Sequence, residues 1–494
     1  MKLRSVLLVA LLVFLPPAHA VLGLPHLFGD HMMLQSGTTV PVWGTAAAGE
    51  TVSVAFSGQQ VTTTADDSGH WRVDLGPLAA SAEPRELVVT STNPQSAISN
   101  LHLKDVLVGE VWLCSGQSNM EKPLGEKKGQ LPVLNAEEEI RNAAFPQIRL
   151  FKVKKARSAT PALDLEGEWV VCRPDTIDAI KFSATGYFFG RMIHREIGQP
   201  VGLIDSTWGG TRIEPWTPPQ GFAAVPALSA FADACTRPGT KIEGTTPSEL
   251  YNAMIHPLVP FALRGMLWYQ GESNIIDADD GARYCDKMLA LVRGWRTLWQ
   301  RDTAFYFVQV APHLYHVVRP ATVVSPEATP RLWEAQAAAA RLLPHAGMIV
   351  TTDLVDDLMD IHPRNKKDVG ERLARLALVN DYGHTGSETS GPVFRGLEIA
   401  GPRAILHFDH GAAGLRSTDE KPLTWFTVAG ADGVFFPAAA TIEGDTVVVT
   451  SPRVSAPAVV HFAWDEAARP NFANTAGLPA EPFRTDDPFR AAHR

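Results

Sequence analysis

Hydrophobic and polar positions divide the chain into three regions, of which the first and the last are patterned as short strands. Near the start, Thr51–Phe56 alternates polar and apolar residues, and glycines interrupt the pattern on either side. Similar runs return in the last hundred residues, for example at Thr446–Thr450. Regularly spaced short strands without a helical period are typical of β-sandwiches. We therefore predict β-sandwich-like regions over residues 21–105 and 392–494.

The middle region, residues 106–391, alternates buried strands with amphipathic helices. Its first strand is the apolar, β-branched run Val106–Cys114. Apolar residues at helical spacing predict the helices Ser183–Ile197, Ser248–Leu258, Tyr284–Trp299, Pro330–Leu343 and Lys366–Asn380. Strands that alternate with helices imply a mostly parallel sheet covered on both faces. We predict an α/β fold for this region.

Polar loops follow three of the predicted strands and should meet at one edge of the sheet. They are Ser115–Met120, Ser206–Thr211 and Gln270–Asn274. Ligands of open α/β sheets bind beyond the carboxyl ends of the strands. Ser118, in the first loop, is placed for a nucleophile, although a serine there could equally cap a helix.

The first twenty residues predict a secretory signal peptide. Lys2 and Arg4 precede the apolar stretch Val6–Leu15, and Ala18–Ala20 is a cleavage site of the small-x-small type. We therefore expect export to the periplasm or the extracellular space. We expect no stable membrane insertion, because no later segment approaches ~18 uninterrupted apolar residues.

The charge and the cysteine content exclude some classes of function. The formal net charge is −9, and without a basic patch this argues against nucleic-acid binding. One or two disulfides are possible in an exported chain with four cysteines, and none of the cysteines has the spacing of a metal site. The cysteines are Cys114, Cys172, Cys235 and Cys285. The oligomeric state stays open.

Ester hydrolysis by a serine requires a base, a group that orients this base, and donors for the oxyanion. The sequence Gly116–Met120 lacks the second glycine of the Gly-x-Ser-x-Gly elbow, which argues against an ordinary α/β-hydrolase. His362, between a late strand and the last central helix, is the candidate base. A lone histidine before a proline could also be a surface loop residue.

Three motifs in this order resemble the sialate O-acetylesterase family of SGNH hydrolases. They are Ser115–Met120, Trp268–Asn274 and Asp360–Lys366, and further family-like stretches are Leu27–Gln35, Ser206–Thr211 and Pro482–Asp486. The resemblance implies a flavodoxin-like three-layer core that hydrolyses acetyl esters of sugars without a metal or other cofactor. Ser118 would attack the acetyl carbonyl and His362 would transfer the proton.

The resemblance also implies where the oxyanion binds. Donors would be the backbone N–H groups of Ser118 and of a glycine in the Trp208–Gly210 loop, with Gly209 preferred. The third motif of SGNH hydrolases usually reads Gly-x-Asn, and here Ser273 stands where asparagine is expected. The side-chain donor would then be Gln270 or Asn274, and Glu272 would be structural.

The acid that orients the histidine also departs from the usual pattern. SGNH hydrolases usually place it three residues before the histidine, a position occupied here by Met359. We assign the role to Asp360. Asp356, Asp357 or a backbone carbonyl are alternatives.

Several residues near these loops could contact a sugar. Arg212 and Arg364 could bind the carboxylate of an acidic sugar such as sialic acid, or pair with neighbouring acids. Trp208 could stack on a sugar ring. Other aromatic residues close to the loops are Trp216, Trp268 and Tyr269, for which burial is an equally good explanation.

We therefore predict an exported serine esterase that removes O-acetyl groups from carbohydrates. Sialic acid is the sugar that the family name suggests. Acetylated fragments of plant polysaccharides, such as xylan or xyloglucan, are an alternative substrate. A non-catalytic carbohydrate-binding protein with a degenerate esterase core is an alternative of another class.

Overall fold

The computed structural model describes residues 21–91, 100–278, 280–318, 324–411 and 414–491. The predicted signal peptide, residues 1–20, lies outside this range. Within it, no helix is both long enough and apolar enough to cross a membrane.

The N-terminal region is built from two sheets around a shared core. Its strands are β1 (Met33–Gln35), β2 (Val40–Thr45), β3 (Thr51–Phe56), β4 (Gln59–Thr64), β5 (His70–Leu75), β6 (Ser81–Ser91) and β7 (Asn100–Gly116). β2 pairs with β5, while β4, β3, β6 and β7 form the second, antiparallel sheet, which β1 joins in parallel. Every second side chain of β3 is buried, as the alternation in the sequence predicted.

The central sheet has the order β13-β12-β11-β7-β10-β8-β9. Its further strands are β8 (Phe145–Lys152), β9 (Trp169–Cys172), β10 (Val201–Thr207), β11 (Gly265–Tyr269), β12 (Ala304–Val308) and β13 (Ala346–Ile349). All pairings are parallel except that of the edge strand β9. β10, β11 and β12 are buried along their whole length, as expected for a sheet covered on both faces.

Helices cover both faces of this sheet. They are α1 (Ser118–Glu121), α2 (Ala136–Arg141), α3 (Pro174–Ala179), α4 (Ala184–Ile197), α5 (Pro219–Ala223), α6 (Ser229–Cys235), α7 (Glu272–Ala278), α8 (Arg283–Trp299), α9 (Tyr315–Val318), α10 (Ala328–Leu342), α11 (Lys367–Asp381) and α12 (Pro488–Ala491). Met266 and Trp268 of β11 pack into the layer that contains α8 and α10, whereas Leu267 and Tyr269 pack into the layer of α4 and α11. The predicted three-layer α/β core is confirmed.

Local signals delimit α4 correctly but do not predict the irregular geometry of a later helical segment. Ser183 caps α4 by accepting the N–H of Gly186 at 3.0 Å, and Gly198, with a φ of 66°, ends it. The segment predicted as a helix over Ser248–Leu258 is helical but irregular. It passes into a π-helical turn at Tyr251–Ile255 and ends as a 3-10 turn at His256–Leu258, where Pro257 has no N–H with which to continue an α-helix.

β7 belongs to both the N-terminal region and the central sheet. Its first half pairs with β6 and its second half with β10 and β11. At the transition, Asp105 has a φ of 54°, and its carboxylate accepts hydrogen bonds of 2.7 and 3.0 Å from the buried Arg149. The predicted domain boundary between residues 105 and 106 therefore falls inside a continuous strand.

The C-terminal region is a second β structure, packed around phenylalanines. Its strands are β14 (Val393–Ala400), β15 (Arg403–Asp409), β16 (Leu415–Ser417), β17 (Phe426–Ala429), β18 (Phe435–Pro437), β19 (Ala439–Glu443), β20 (Thr446–Thr450), β21 (Val459–Phe462), β22 (Phe472–Asn474) and β23 (Phe483–Arg484). Phe394 and Phe483 stack with ring centroids 4.7 Å apart. Arg484 binds Glu334 of α10 at 2.8 Å, which joins this region to the core.

The cysteines make no covalent links in this structure. Cys114 lies inside β7, and burial raises the pKa of its thiol. All four residues, Cys114, Cys172, Cys235 and Cys285, are free thiols. No disulfide joins any two of these four cysteines.

Candidate active site

The turn after β7 places Ser118 at the first position of α1. Gly116 has a φ of 133°, and a side chain here would overlap the backbone oxygen of Tyr269, so only glycine fits. The N–H of Gln117 donates to the same oxygen at 3.0 Å, which ties the turn to the end of β11. Ser118 is half-buried, while its neighbours Gln117 and Asn119 are fully buried.

His362 lies in the loop between β13 and α11, with Asp360 beside it. Asp360 Oδ1 accepts the backbone N–H of His362 at 2.9 Å and is 3.7 Å from the ring nitrogen Nδ1. Asp357 instead accepts the N–H of Met359, and Asp356 pairs with an arginine. The side chain of Met359, at the usual position of the acid, is 53% exposed. Of the candidate acids, Asp360 is the one in contact with His362.

A buried asparagine joins the serine turn to the histidine loop. Asn119 Nδ2 donates to the carbonyl oxygen of Ile361 at 3.0 Å, and Asn119 Oδ1 accepts from Lys366 Nζ at 2.6 Å. Asn119 and Ile361 directly follow and precede Ser118 and His362 in the chain, so this contact sets the two loops side by side. Catalytic hydrogen bonds between such loops often tighten only when substrate binds.

Positive charges surround the imidazole. Burial and the nearby Lys366, Lys122 and Lys127 lower the pKa of His362 to about 3. Burial also lowers the pKa of Lys366 to about 7 and that of Lys122 to about 8. His362 is therefore neutral at neutral pH, which is the form that can accept the serine proton.

This electrostatic environment predicts that catalytic activity persists at pH values below the ordinary pKa of histidine. The active form has a neutral His362, and lowering its pKa keeps that form populated at lower pH. We expect kcat/KM for an aryl acetate to stay constant well below pH 6.5, the ordinary value for histidine. Lys127→Gln should raise the pKa of His362 and shift the acid limb upward by roughly half a pH unit, because one nearby cation is lost.

Lys128→Gln is the matched control, because Lys128 is the exposed neighbour of Lys127. Its pH profile should overlay that of the wild type. An acid limb at pH 6.5 in the wild type, or equal profiles for both variants, would contradict this account of the electrostatics.

Gly209 packs directly against the serine. A Cβ added at Gly209 would lie 2.8 Å from Glu121 Oε2 and 3.1 Å from Ser118 Cβ, so a side chain here would displace one or both neighbours. Its N–H, the predicted oxyanion donor, here donates to Glu121 Oε2 at 2.6 Å. Lys155 and Lys127 hold the same carboxylate at 2.6 and 3.3 Å. The Gly209 N–H is thus already bound to an anionic oxygen of the protein itself.

The side-chain amides of Gln270 and Asn274 are fully engaged inside the protein, where both residues are completely buried. Asn274 Nδ2 donates to Glu214 at 3.2 Å and to Asp280 at 2.6 Å. Gln270 Nε2 lies 2.7 Å from Asn274 Oδ1 and 3.1 Å from each of two other oxygens. Since an amide nitrogen carries only two protons, this geometry does not support the predicted role of either side chain as an oxyanion donor. They hold the loops in place instead.

Buried lysine and arginine side chains form ion pairs with the acidic side chains next to Asn274. Glu214, Glu243 and Asp280 are the one group of side chains in the described residues that could hold a metal ion. Nζ of the fully buried Lys287 lies 2.7 Å from Glu214 and 2.6 Å from Asp280, and Arg212 also pairs with Glu214. These ion pairs fix the base of the loop that carries Gln270 and Asn274.

The residues predicted to bind sugar differ in accessibility. Arg212 is buried and paired, so it is not available to a substrate carboxylate. Arg364 is partly exposed and donates to the carbonyl oxygen of Pro132 at 2.9 Å. Trp208 is half-buried, with the Arg157 guanidinium 4.8 Å from its ring centroid. The other aromatic residues considered, Trp216, Trp268 and Tyr269, are fully buried.

Three buried charged residues near the site were assigned no role from the sequence. They are Glu121, Lys122 and Lys366. Glu272, predicted to be structural, accepts a hydrogen bond from Asn119, and burial raises the pKa of its carboxyl. The signal for the other three was their position, since Glu121 and Lys122 are the two residues that follow the first motif and Lys366 ends the third.

Comparisons with known proteins show the family of this chain. A family described as carbohydrate esterase, sialic acid-specific acetylesterase matches residues 108–379. The sialate O-acetylesterase of Rattus norvegicus is 30% identical over 434 residues, 77% of this chain and 77% of that protein. Its Homo sapiens counterpart is 30% identical over 413 residues, 77% and 75% of the two chains.

Structural similarity extends over nearly the whole molecule. The crystal structure of a carbohydrate acetylesterase from Xanthomonas citri matches with a TM-score of 0.82 and 35% identity, and covers 94% of this chain and 100% of that one. A protein of this sequence and fold is a carboxylic ester hydrolase. The chain belongs to the sialic acid-specific acetylesterase family of carbohydrate esterases.

Proposed function

We propose that this protein is an exported serine esterase that removes O-acetyl groups from carbohydrates through an acyl-enzyme on Ser118. The observation that carries the proposal is the Asn119–Ile361 hydrogen bond of 3.0 Å, which sets the loops of Ser118 and His362 side by side. Asp360 on the N–H and beside the ring of His362 supports a triad. The signal-like residues 1–20 support export.

The proposed reaction has two steps. Ser118 Oγ attacks the acetyl carbonyl while His362 accepts the hydroxyl proton and then delivers it to the departing sugar oxygen. Water, deprotonated by His362, then releases acetate and restores the serine. The N–H groups of Ser118 and Gly209 would stabilise the oxyanion in both steps, which requires the Glu121 carboxylate to leave Gly209 first.

Sialic acid is the first substrate to test, because the curated relatives are sialate O-acetylesterases. One observation favours a second candidate, acetylated fragments of plant polysaccharides. Arg212, one of two arginines predicted to bind the carboxylate of an acidic sugar, is buried in ion pairs with the protein. Recognition of a sugar carboxylate would then depend on Arg364.

Two measurements test the proposal. Rapid quenching during turnover of an aryl acetate, followed by peptide mass spectrometry, should find an acetyl group on Ser118. Acetate release from O-acetylated sialosides and from acetylated xylo-oligosaccharides then identifies the sugar. Turnover without acetylation of Ser118 would refute the acyl-enzyme, and release from the plant oligosaccharides alone would refute the sialate assignment. A protein that binds these sugars but releases no acetate would be the non-catalytic alternative.

A further inference from the structure

Two neighbouring cavities form a groove between the N-terminal β region and the catalytic core. The first, of about 240 Å³, is lined by Trp43 and His70 of the N-terminal region and by Leu163. The second, of about 270 Å³, lies along the segment 154–166. Both are lined by Ala162 and Asp164, so the two cavities adjoin along this segment. We refer to the two cavities together as the side groove.

The side groove approaches the catalytic serine by way of Trp208. Lys155 and Arg157 line the second cavity, and their charged groups lie 5.6 and 4.8 Å from the centroid of the Trp208 ring. Trp208 directly precedes Gly209, which touches Ser118. A sugar chain with its acetylated unit at Ser118 would therefore leave the active site past Trp208 and reach the side groove.

The charged side chains of the groove are paired. The pairs are His26 with Asp164 at 2.6 Å, Lys154 with Glu166 at 2.6 Å, Lys155 with Glu121 at 2.6 Å, and Arg157 with Glu249. Each of these groups already has a partner in the protein, and paired groups still offer hydrogen bonds to hydroxyl groups. This lining therefore suits neutral sugar units.

Trp43 supplies an aromatic surface at the far end of the groove. Its ring packs edge-on against Phe28, with centroids 4.7 Å apart, and the residue remains half-buried in the cavity wall. Leu163, in the same wall, is 71% exposed. Apolar and aromatic surface with a few polar groups is the composition of small-molecule sites. A sugar ring, with its apolar faces and hydroxyl rim, matches this composition.

We infer that the side groove binds the neutral sugar units that adjoin the acetylated one. The substrate is then an acetylated oligosaccharide, and the N-terminal β region takes part in its recognition. The inference rests on the proposed function, because the groove acquires this role only if Ser118 is the site of acetyl transfer.

The test compares long and short substrates in two groove variants. The probe pairs are O-acetylated sialyllactose with O-acetylated sialic acid, and acetylated xylo-oligosaccharide with acetylated xylose. Trp43→Ala removes the aromatic surface, whereas Ala162→Trp fills the junction of the two cavities. Each variant should lower kcat/KM for the preferred oligosaccharide about tenfold, the loss of one good contact. Activity on an aryl acetate should stay unchanged, because that ester needs the catalytic site alone.

Trp425→Ala is the matched control, since Trp425 is 40% exposed in the C-terminal β region. Ala162→Trp keeps the test valid if Trp43→Ala unfolds, because it adds a side chain and deletes no packing contact. The inference is overturned if the wild type treats long and short substrates alike, or if the folded variants lose both activities equally or neither. Failure of the proposed function looks different, because the wild type would then release no acetate even from the aryl ester.

Discussion

Ser118→Ala is expected to lower kcat for aryl acetate hydrolysis by about 10⁶-fold, the size of effect seen when a serine nucleophile is removed. Ser118 is half-buried at the start of α1, and its Cβ lies beside Gly209. Its removal leaves base and oxyanion donors in place but takes away the bond-forming atom. Stability should hardly change, because the side chain makes no packing contact that alanine cannot keep.

Ser115→Ala is the matched control for this prediction. Ser115 lies in the same motif, and its buried hydroxyl has no hydrogen-bond partner within the described part of the chain. Its loss should leave kcat near the wild-type value. Comparable rates for Ser118→Ala and the wild type, measured with purified protein, would remove Ser118 from the mechanism.

His362→Ala is expected to lower kcat at neutral pH by about 10³-fold or more, because no other group then accepts the serine proton. The residue lies in a loop, and its ring is only partly buried, so the melting temperature should change little. Added imidazole should restore part of the activity by entering the vacated space. The matched control is His102→Ala, which removes an exposed histidine of β7.

Asp360→Asn tests the residue that would orient His362. The asparagine can still accept the N–H of His362, but it cannot stabilise the imidazolium that forms during attack. We expect a loss of about 10²-fold, the lower end for acid–base groups, because Asp360 Oδ1 lies 3.7 Å from the ring nitrogen Nδ1. Unchanged turnover in Asp360→Asn would mean that a backbone carbonyl orients the ring instead, and a small effect of His362→Ala would require a different base.

The parts of the fold that follow from local pattern were predictable. Thr51–Phe56 forms β3 with the predicted alternation, and Ser183 and Gly198 delimit α4. The segment Ser248–Leu258 is helical as expected, but its π-helical and 3-10 turns did not follow from the spacing of its apolar residues. The continuity of β7 through Asp105 depends on Arg149, which is distant in sequence.

The sequence names the candidate catalytic residues, which the structure places in adjoining loops, and it says less about the residues that support them. Ser118 lies in the first motif, and Asp360 and His362 lie in the third, so the sequence alone names them as candidates. Gln270 and Asn274 could serve a substrate or the protein equally well by residue type. The Asn274 amide donates to Glu214, which is distant in sequence, and to Asp280, which lies on a following turn. Only the folded structure shows that both acceptors are close to Asn274.

The shared strand β7 determines how this enzyme can unfold and how it can evolve. One strand carries the edge of the N-terminal β region and the centre of the catalytic sheet, and Ser118 is the second residue after its end. Melting of the N-terminal region would therefore fray the strand that positions the nucleophile, so the two parts should unfold in one cooperative transition. An appended binding module can be lost or exchanged at a flexible linker. Here the β region is inherited together with the catalytic centre.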